Sequence, residues 1–364
     1  MRVLHYYPDD NPMITRHVDL LCENMSREVE NHRATEAEKA KTLLKGGSYD
    51  LIHLHGCWRN SSRTIVNTAL KYGTRLIITP HGQLQPWVQQ ENQWKEKMPK
   101  RVIYQQRVVR KAYAVIIQGK MEEECMARLG WNPRCVIIKN SVITCSITPQ
   151  EMARQTSTLY RKVMDSNPLE LMTDEQQDML KDIITTGITG DQRWLTMLHQ
   201  STLDIEDWRR MLCYVEQEQV TDTFKRGIRV LRLEPADLQI DPSDCFMPEG
   251  YEQPATIESA IGNQWVSENE RLMATFKHLK KLTSAKKLSL AHLVELDKEL
   301  RQYPCEEGKL CETLDEQGLY KLAARIMQLM SDKTGLTEGF MPMPPLNDRT
   351  TRQLRKQVEN RMSI

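Results

Sequence analysis

No stretch of about 18 or more consecutive apolar residues occurs in the sequence, so no segment is expected to span a membrane as a helix. No CxxC pair occurs among the nine cysteines (Cys22, Cys57, Cys125, Cys135, Cys145, Cys213, Cys245, Cys305, Cys311), which removes a zinc ribbon and a thioredoxin-type redox motif. Their odd number and wide spacing fit reduced thiols. The opening "MRVLHYYPDD" breaks into Pro and Asp too early for a secretory signal, so a cytoplasmic location is expected. Charge of one sign is not in excess either: 50 Lys+Arg face 49 Asp+Glu. That balance, with no recognition module in view, argues against nucleic acid as a partner. It also hides an asymmetry. Residues 1–145 carry 22 basic and 14 acidic side chains (+8), and the remainder 28 and 35 (−7), which points the two halves at different partners.

What is present is enough chain, 364 residues, for two domains of ordinary size. The first 145 residues alternate short apolar runs with amphipathic stretches. "RVLHYY", "DLIHLHG", "TRLIITPHG", "AVIIQG" and "CVIIKNSV" read as strands. "MITRHVDLLCENM", "TEAEKAKTLLKGG", "SRTIVNTALKYG", a long polar stretch from about Trp94 to Lys111, and "EEECMARLG" read as helices. Alternation of continuous apolar strands with helices means a parallel sheet covered on both faces, a doubly wound Rossmann-like α/β domain. Beyond residue 148 the pattern turns helical, giving a mainly α-helical C-terminal region. The expected organisation is an α/β domain over 1–148, helices over 149–233, a proline-rich linker or loop over 234–256, and helices over 257–364.

"DLIHLHGCW" places His53, His55 and Cys57 at alternate positions, hence on one face of a strand. Zinc is one reading, but a fourth ligand and a paired-ligand motif are missing, so no metal is expected and the histidines read as hydrogen-bonded cleft residues. In open α/β sheets ligands bind beyond the carboxyl ends of the strands. Two strands end there in glycine-bearing polar turns, "HLHGCW" and "TPHGQLQPW". Gly56 and Gly82 let backbone approach a ligand, and His81 follows Pro80. Trp58 and Trp87 read equally as sugar-stacking or core residues. In "WKEKMPKRVIYQQRVVRKAY", Lys95, Lys97, Lys100, Arg101, Arg107, Arg110 and Lys111 face one acid, Glu96. The segment reads either as a solvated helix face or as a surface for anionic lipid headgroups, with peripheral contact at the inner face of a membrane.

Taken in order, "HV..L" (His17, Val18, Leu21), "YDLIHLHGCW", "LIITPHGQLQPW", "AYAVIIQGKMEEECMARLGW" and "CVIIKNSV" resemble the N-terminal, acceptor-side domain of family 4 glycosyltransferases of the GT-B fold. The likeness covers about residues 1–145. It implies a cleft in which His81 is the catalytic-site histidine, Gly82 shapes its loop, and His53, His55 and Gly56 support it. It also aligns Glu122 to Glu124 with a family glutamate and Asn140 with an interdomain turn asparagine; the expected substrate-binding set is His53, His55, Gly56, Trp58, Gly82, Trp87 and Asn140. No cofactor is implied: a nucleotide sugar would be the donor co-substrate and a glycan or lipid-linked molecule the acceptor.

The departures are equally plain. The family's glycine-rich phosphate loop is replaced by "PDDNPMITRH", whose Asp9 and Asp10 repel a pyrophosphate, and Ser141 follows Asn140 where glycine is usual. The second Rossmann domain has no counterpart. Glu338 begins an echo of the donor motif, but Leu346 stands where its second glutamate belongs. Two functions follow. One is a sugar transferase of surface-polysaccharide or glycoconjugate synthesis whose donor site comes from a second protein chain or an atypical arrangement. The other is a catalytically degenerate homologue that binds glycans or scaffolds an assembly.

Overall fold

The computed structural model describes residues 1–8, 10–85, 104–192, 203–233, 240–248, 257–262 and 265–361. The chain divides into two compact units, one ending at Met164 and the other beginning at Asp165.

The first unit is built on a six-stranded, wholly parallel sheet: β1 (Arg2–Tyr6), β2 (Glu30–Ala34), β3 (Leu51–His55), β4 (Arg75–Thr79), β5 (Ala114–Ile117) and β6 (Cys135–Ile137). The spatial order is β2-β1-β3-β4-β5-β6. Between them run α1 (Pro12–Asn24), α2 (Ala37–Lys45), α3 (Asn60–Lys71), α4 (Gln106–Arg110) and α5 (Lys120–Leu129), followed by α6 (Pro149–Asp165). The chain steps from β1 to β2 in one direction and from β2 to β3 in the other. Right-handed crossovers therefore put α1 on one face and α2, α3, α4 and α5 on the opposite face. β3, β4 and β5 are buried along their length and β1 from Val3 onward, as a sheet covered on both sides requires. Strand β2 was not legible in the sequence. Its "ENHRA" is polar, it pairs with β1 alone, and its first four residues are not buried.

Alternation sorts the strand residues by face. Leu4, Tyr6, Ile52, Leu54, Leu76, Ile78, Val115 and Ile117 join the main apolar core with α2, α3 and α5 residues such as Leu44, Ile65 and Met126. Val3, His5, Leu51, His53, His55, Ile77 and Thr79 have the other parity. Tyr7, Ile14 and Val18 form a smaller apolar cluster with Cys22 from α1. Helix α6 belongs to this unit rather than to the helical region beyond it. Buried Arg75, at the start of β4, donates to the Val163 carbonyl (3.2 Å) and to that of Met164, putting a cation on the negative end of α6.

The second unit, among the described residues, is helical: α7 (Asp174–Thr189), α8 (Ile205–Gln217), α9 (Thr221–Leu231), α10 (Ile257–Ile261), α11 (Glu268–Ser284), α12 (Leu290–Gln302), α13 (Glu307–Glu316), α14 (Tyr320–Thr334) and α15 (Arg349–Glu359). Thr173, Asp204 and Asp348 cap α7, α8 and α15 with reciprocal side-chain bonds. The stretches "DIEDWRRMLCYVEQEQVTDTFKRGIRVL" and "LDEQGLYKLAARIMQLMSDKTG", each continuous in helical period, are broken at left-handed residues, Gln219 (φ 57°) and Gly318 (φ 62°). Helices α7 and α9 cross at glycines. A Cβ on Gly187 would lie 2.0 Å from the Thr223 carbonyl oxygen, and one on Gly227 2.0 Å from that of Ile183. The expected linker lies partly outside the described residues. In its described part Cys245 is buried and the Phe246 carbonyl accepts a bond from Gln217 (2.9 Å).

Candidate functional site

A doubly wound sheet opens a crevice where its strand order reverses, here between the carboxyl ends of β1 and β3. The residues there are histidines. His5 of β1 stands in register with His53 of β3, and His55 follows two positions on, on the same face. α1 adds His17 and the turn after β4 adds His81. The rings pack with centroids 4.0 Å apart for His53–His55, 5.4 Å for His5–His55 and for His55–His81, and 4.7 Å for His17–His81. Five of the chain's nine histidines thus share one site.

Cys57 does not share it. Gly56 takes φ 88°, the alternation of β3 ends there, and the thiol turns into the main core on the opposite face, where burial pushes its pKa up. The His-x-His-x-Cys face of the sequence is therefore cut after its second member.

Two anchored amides settle the tautomers. Asn31 donates its Nδ2–H to the Val29 carbonyl (3.0 Å), so its Oδ1 faces His5 Nε2 (3.0 Å) and must accept. Neutral His5 then accepts at Nδ1 from His55 Nε2–H (3.1 Å). His55 accepts at Nδ1 from His81 Nε2–H (3.1 Å), and His81 accepts at Nδ1 from the Gln118 amide (3.0 Å). The result is a one-way relay from Gln118 through three imidazoles to Asn31. The second anchor is Asn140: its Oδ1 accepts the Val142 N–H (2.9 Å), so His17 Nδ1 donates to it (3.0 Å). His53 is held at both nitrogens, by Tyr160 OH and Thr79 Oγ1, each at 2.6 Å.

Burial dominates the electrostatics. It lowers the pKa of all five imidazoles, to about 4 for His5 and well below the usual value for His53, His55 and His81, with neighbouring imidazoles adding to the effect. At neutral pH they are uncharged.

The loops are clamped together. Glu122, fully buried at the start of α5, accepts the Gly82 N–H at Oε1 (3.1 Å) and the Gln118 N–H at Oε2 (3.0 Å). One carboxylate thus ties the turn after β4 to the end of β5. Glu123 and Glu124 are exposed and take no part. His81 (φ 53°) and Gly82 (φ 77°) both occupy the left-handed region, a costly conformation for His81 that this clamp sustains. Trp58 points its indole N–H at the Gln83 carbonyl (2.9 Å) and packs on the main core. Trp87, Lys95, Lys97, Lys100 and Arg101 lie outside the described residues. Arg107 and Arg110 are exposed on α4, Lys111 is half-buried after it, and Val108 and Val109 turn inward.

The place where a phosphate loop would meet α1 is filled. Asn11 caps α1 by accepting the N–H groups of Met13 (3.1 Å) and Ile14 (3.4 Å), and Asp10 pairs with Arg59. Two three-histidine sets, His5/His53/His55 and His17/His55/His81, have ring nitrogens within 4.8 Å of one another. Their lone pairs do not fit an ion as they stand. The relay spends those of His5, His55 and His81 on neighbouring N–H groups, and no carboxylate belongs to either set.

Of the residues joined here, His53, His55, Gly82, His81 and Asn140 were readable as site residues. His5, Asn31, Gln118 and Tyr160 were not, and His17 was readable only as part of the "HV..L" motif of the family resemblance. A histidine ending the first apolar strand was the available signal for His5. Tyr160 comes from a distant helix and had none.

Residues 25–141 match a family model described as a glycosyl transferase 4-like domain. The matched segment runs from before β2 to beyond β6 and holds His53, His55, His81, Glu122 and Asn140, while His5 and His17 precede it. The first unit therefore carries a domain of the family 4 glycosyltransferase N-terminal kind. No curated protein and no solved structure matches the chain. Among the described residues, no helix is long and apolar enough to cross a membrane.

Proposed function

We propose that the protein takes part in sugar transfer, its N-terminal cleft holding a glycan or lipid-linked acceptor for a nucleotide-sugar donor in surface-polysaccharide or glycoconjugate synthesis. The observation that carries this reading is the histidine cluster at the β1/β3 crevice, within and beside a glycosyl transferase 4-like segment. Uncharged imidazoles, an asparagine and a glutamine suit neutral hydroxyls. Catalysis on such a scaffold rests on holding the acceptor and excluding water rather than on a nucleophilic side chain. The donor phosphates need a positive or N–H-rich site, and the start of α1 is occupied by Asn11 and Asp10. The donor site is accordingly assigned to a second protein chain or to an atypical arrangement of the helical unit.

The capped start of α1 also favours a second reading, a degenerate homologue that binds glycans without transferring them. Thermal shift separates the two. A ligand at 100 times its Kd stabilises by about 2.7 kcal/mol. A rise in Tm with a UDP-, GDP- or CMP-sugar supports transfer. A rise with oligosaccharides and none with any nucleotide sugar moves the assignment to glycan binding.

A further inference from the structure

The hydrogen-bond pattern of the cleft distinguishes one nitrogen from the rest. Both nitrogens of His5, His53, His55 and His81 are engaged by neighbouring side chains. His17 is engaged at Nδ1 only, and its Nε2 has no hydrogen-bond partner among the described residues. His17 is only 6% exposed as a residue, yet Nε2 is not among the fully enclosed unpaired polar atoms of the described residues. Because Asn140 Oδ1 is fixed as an acceptor by the Val142 N–H, His17 must carry its proton on Nδ1. Nε2 is therefore a lone pair, beside the His81 ring that meets His17 edge-on at 4.7 Å.

We infer that His17 Nε2, oriented by Asn140, is the acceptor that the cleft presents to a ligand hydroxyl, and that His81 acts by holding the wall behind it. The inference rests on the sugar reading for the identity of the ligand, and it goes beyond it in naming the contacting atom. A neutral lone pair recognises an O–H group and repels a phosphate oxygen, so this subsite takes the acceptor hydroxyl rather than the donor pyrophosphate. An imidazole oriented by a third group through its other nitrogen is also the arrangement of a general base, ready to receive the hydroxyl proton. His17 would then be the catalytic residue, Asn140 a positioning residue, and Gln118, Glu122, His55 and His5 the frame that holds His81 in place.

Diethyl pyrocarbonate acylates imidazole nitrogens that carry an accessible lone pair, and peptide mapping of the intact chain reads which histidines react. The expected result at pH 7 is modification of His17 ahead of His5, His53, His55 and His81. Reaction at His81 with His17 spared overturns the assignment. Nitrogen NMR of the chain labelled on histidine, with His17→Gln used to assign the signal, gives a reading independent of reactivity. The inference expects a neutral Nδ1–H tautomer for His17 and Nε2–H tautomers for His5, His55 and His81; an Nε2–H form of His17 overturns it. For the ligand, methyl glycosides that raise the Tm are the probes. One present at about ten times its Kd slows His17 modification about tenfold. Bound glycosides that leave the His17 rate unchanged overturn the ligand contact even where the tautomer is confirmed. Nucleotide sugars that fail to raise the Tm bear on the transferase reading alone.

Discussion

Histidines buried as neutral rings make the first unit sensitive to acid. In the unfolded chain each imidazole titrates near 6.5, whereas in the fold all five titrate lower, His5 at about 4. The unfolded state therefore binds more protons below pH 6.5. The stabilisation is complete above that pH and is lost as pH falls toward the folded values. His5 alone accounts for about 3 kcal/mol between pH 6.5 and 4, at about 1.4 kcal/mol per unit. Urea unfolding followed on a first-unit probe should show stability falling steeply below pH 6.5, and a flat profile from 7 to 5 would contradict the buried neutral cluster. The same cluster makes single hydrogen bonds costly to lose. Tyr160→Phe removes the hydroxyl 2.6 Å from His53 Nδ1 and leaves that nitrogen unpaired in the interior. The expected loss is about 1–3 kcal/mol, read from the shift in denaturation midpoint. At this scale the sequence named several of the residues that the cluster joins, but not the bonds between them. His81 sits in a recognisable turn, but the count of its bonds, which shows both nitrogens taken, exists only once β1, β3 and β5 are side by side.

Among the elements, legibility followed burial. Strands β1, β3, β4 and β5 are continuous apolar runs because both faces are covered, and such runs are readable. Strand β2 is an edge strand of polar residues and carries no such signal. The helical breaks at Gln219 and Gly318 were hidden because amphipathic period continues across them. The α7–α9 crossing was equally hidden: glycine in a helix reads as a weak point until a neighbouring backbone is found against it. Gly187→Ala or Gly227→Ala places a methyl where a carbonyl oxygen already lies, and the helices must part. Each should destabilise the second unit by about 1–3 kcal/mol, despite the better helix propensity of alanine. Calorimetry of the variants checks this; an unchanged or raised Tm would show that the crossing yields without cost.

For the whole molecule, the basic excess of residues 1–145 and the acidic excess of the rest are the ground for expecting different partners for the two halves. Contact with anionic lipid is expected to come from the basic segment that ends in exposed Arg107 and Arg110. Flotation with anionic and neutral vesicles tests it. Binding should require anionic lipid, fall with added salt, and weaken when Arg107 and Arg110 are changed to Gln. Equal recovery with both vesicle types would overturn the expected contact with anionic lipid.

The sequence alone determined the parallel α/β architecture of the first half, the helical character of the second, and the strand ends at which a site would lie. Apolar period and turn residues are local properties, and they survive reading one segment at a time. Tertiary structure alone decided which histidines meet, that Cys57 turns away, that Glu122 clamps two loops, and that His17 Nε2 is left without a partner among the described residues. Those outcomes depend on strand order, register and the direction of each hydrogen bond, none of which is written within a single segment.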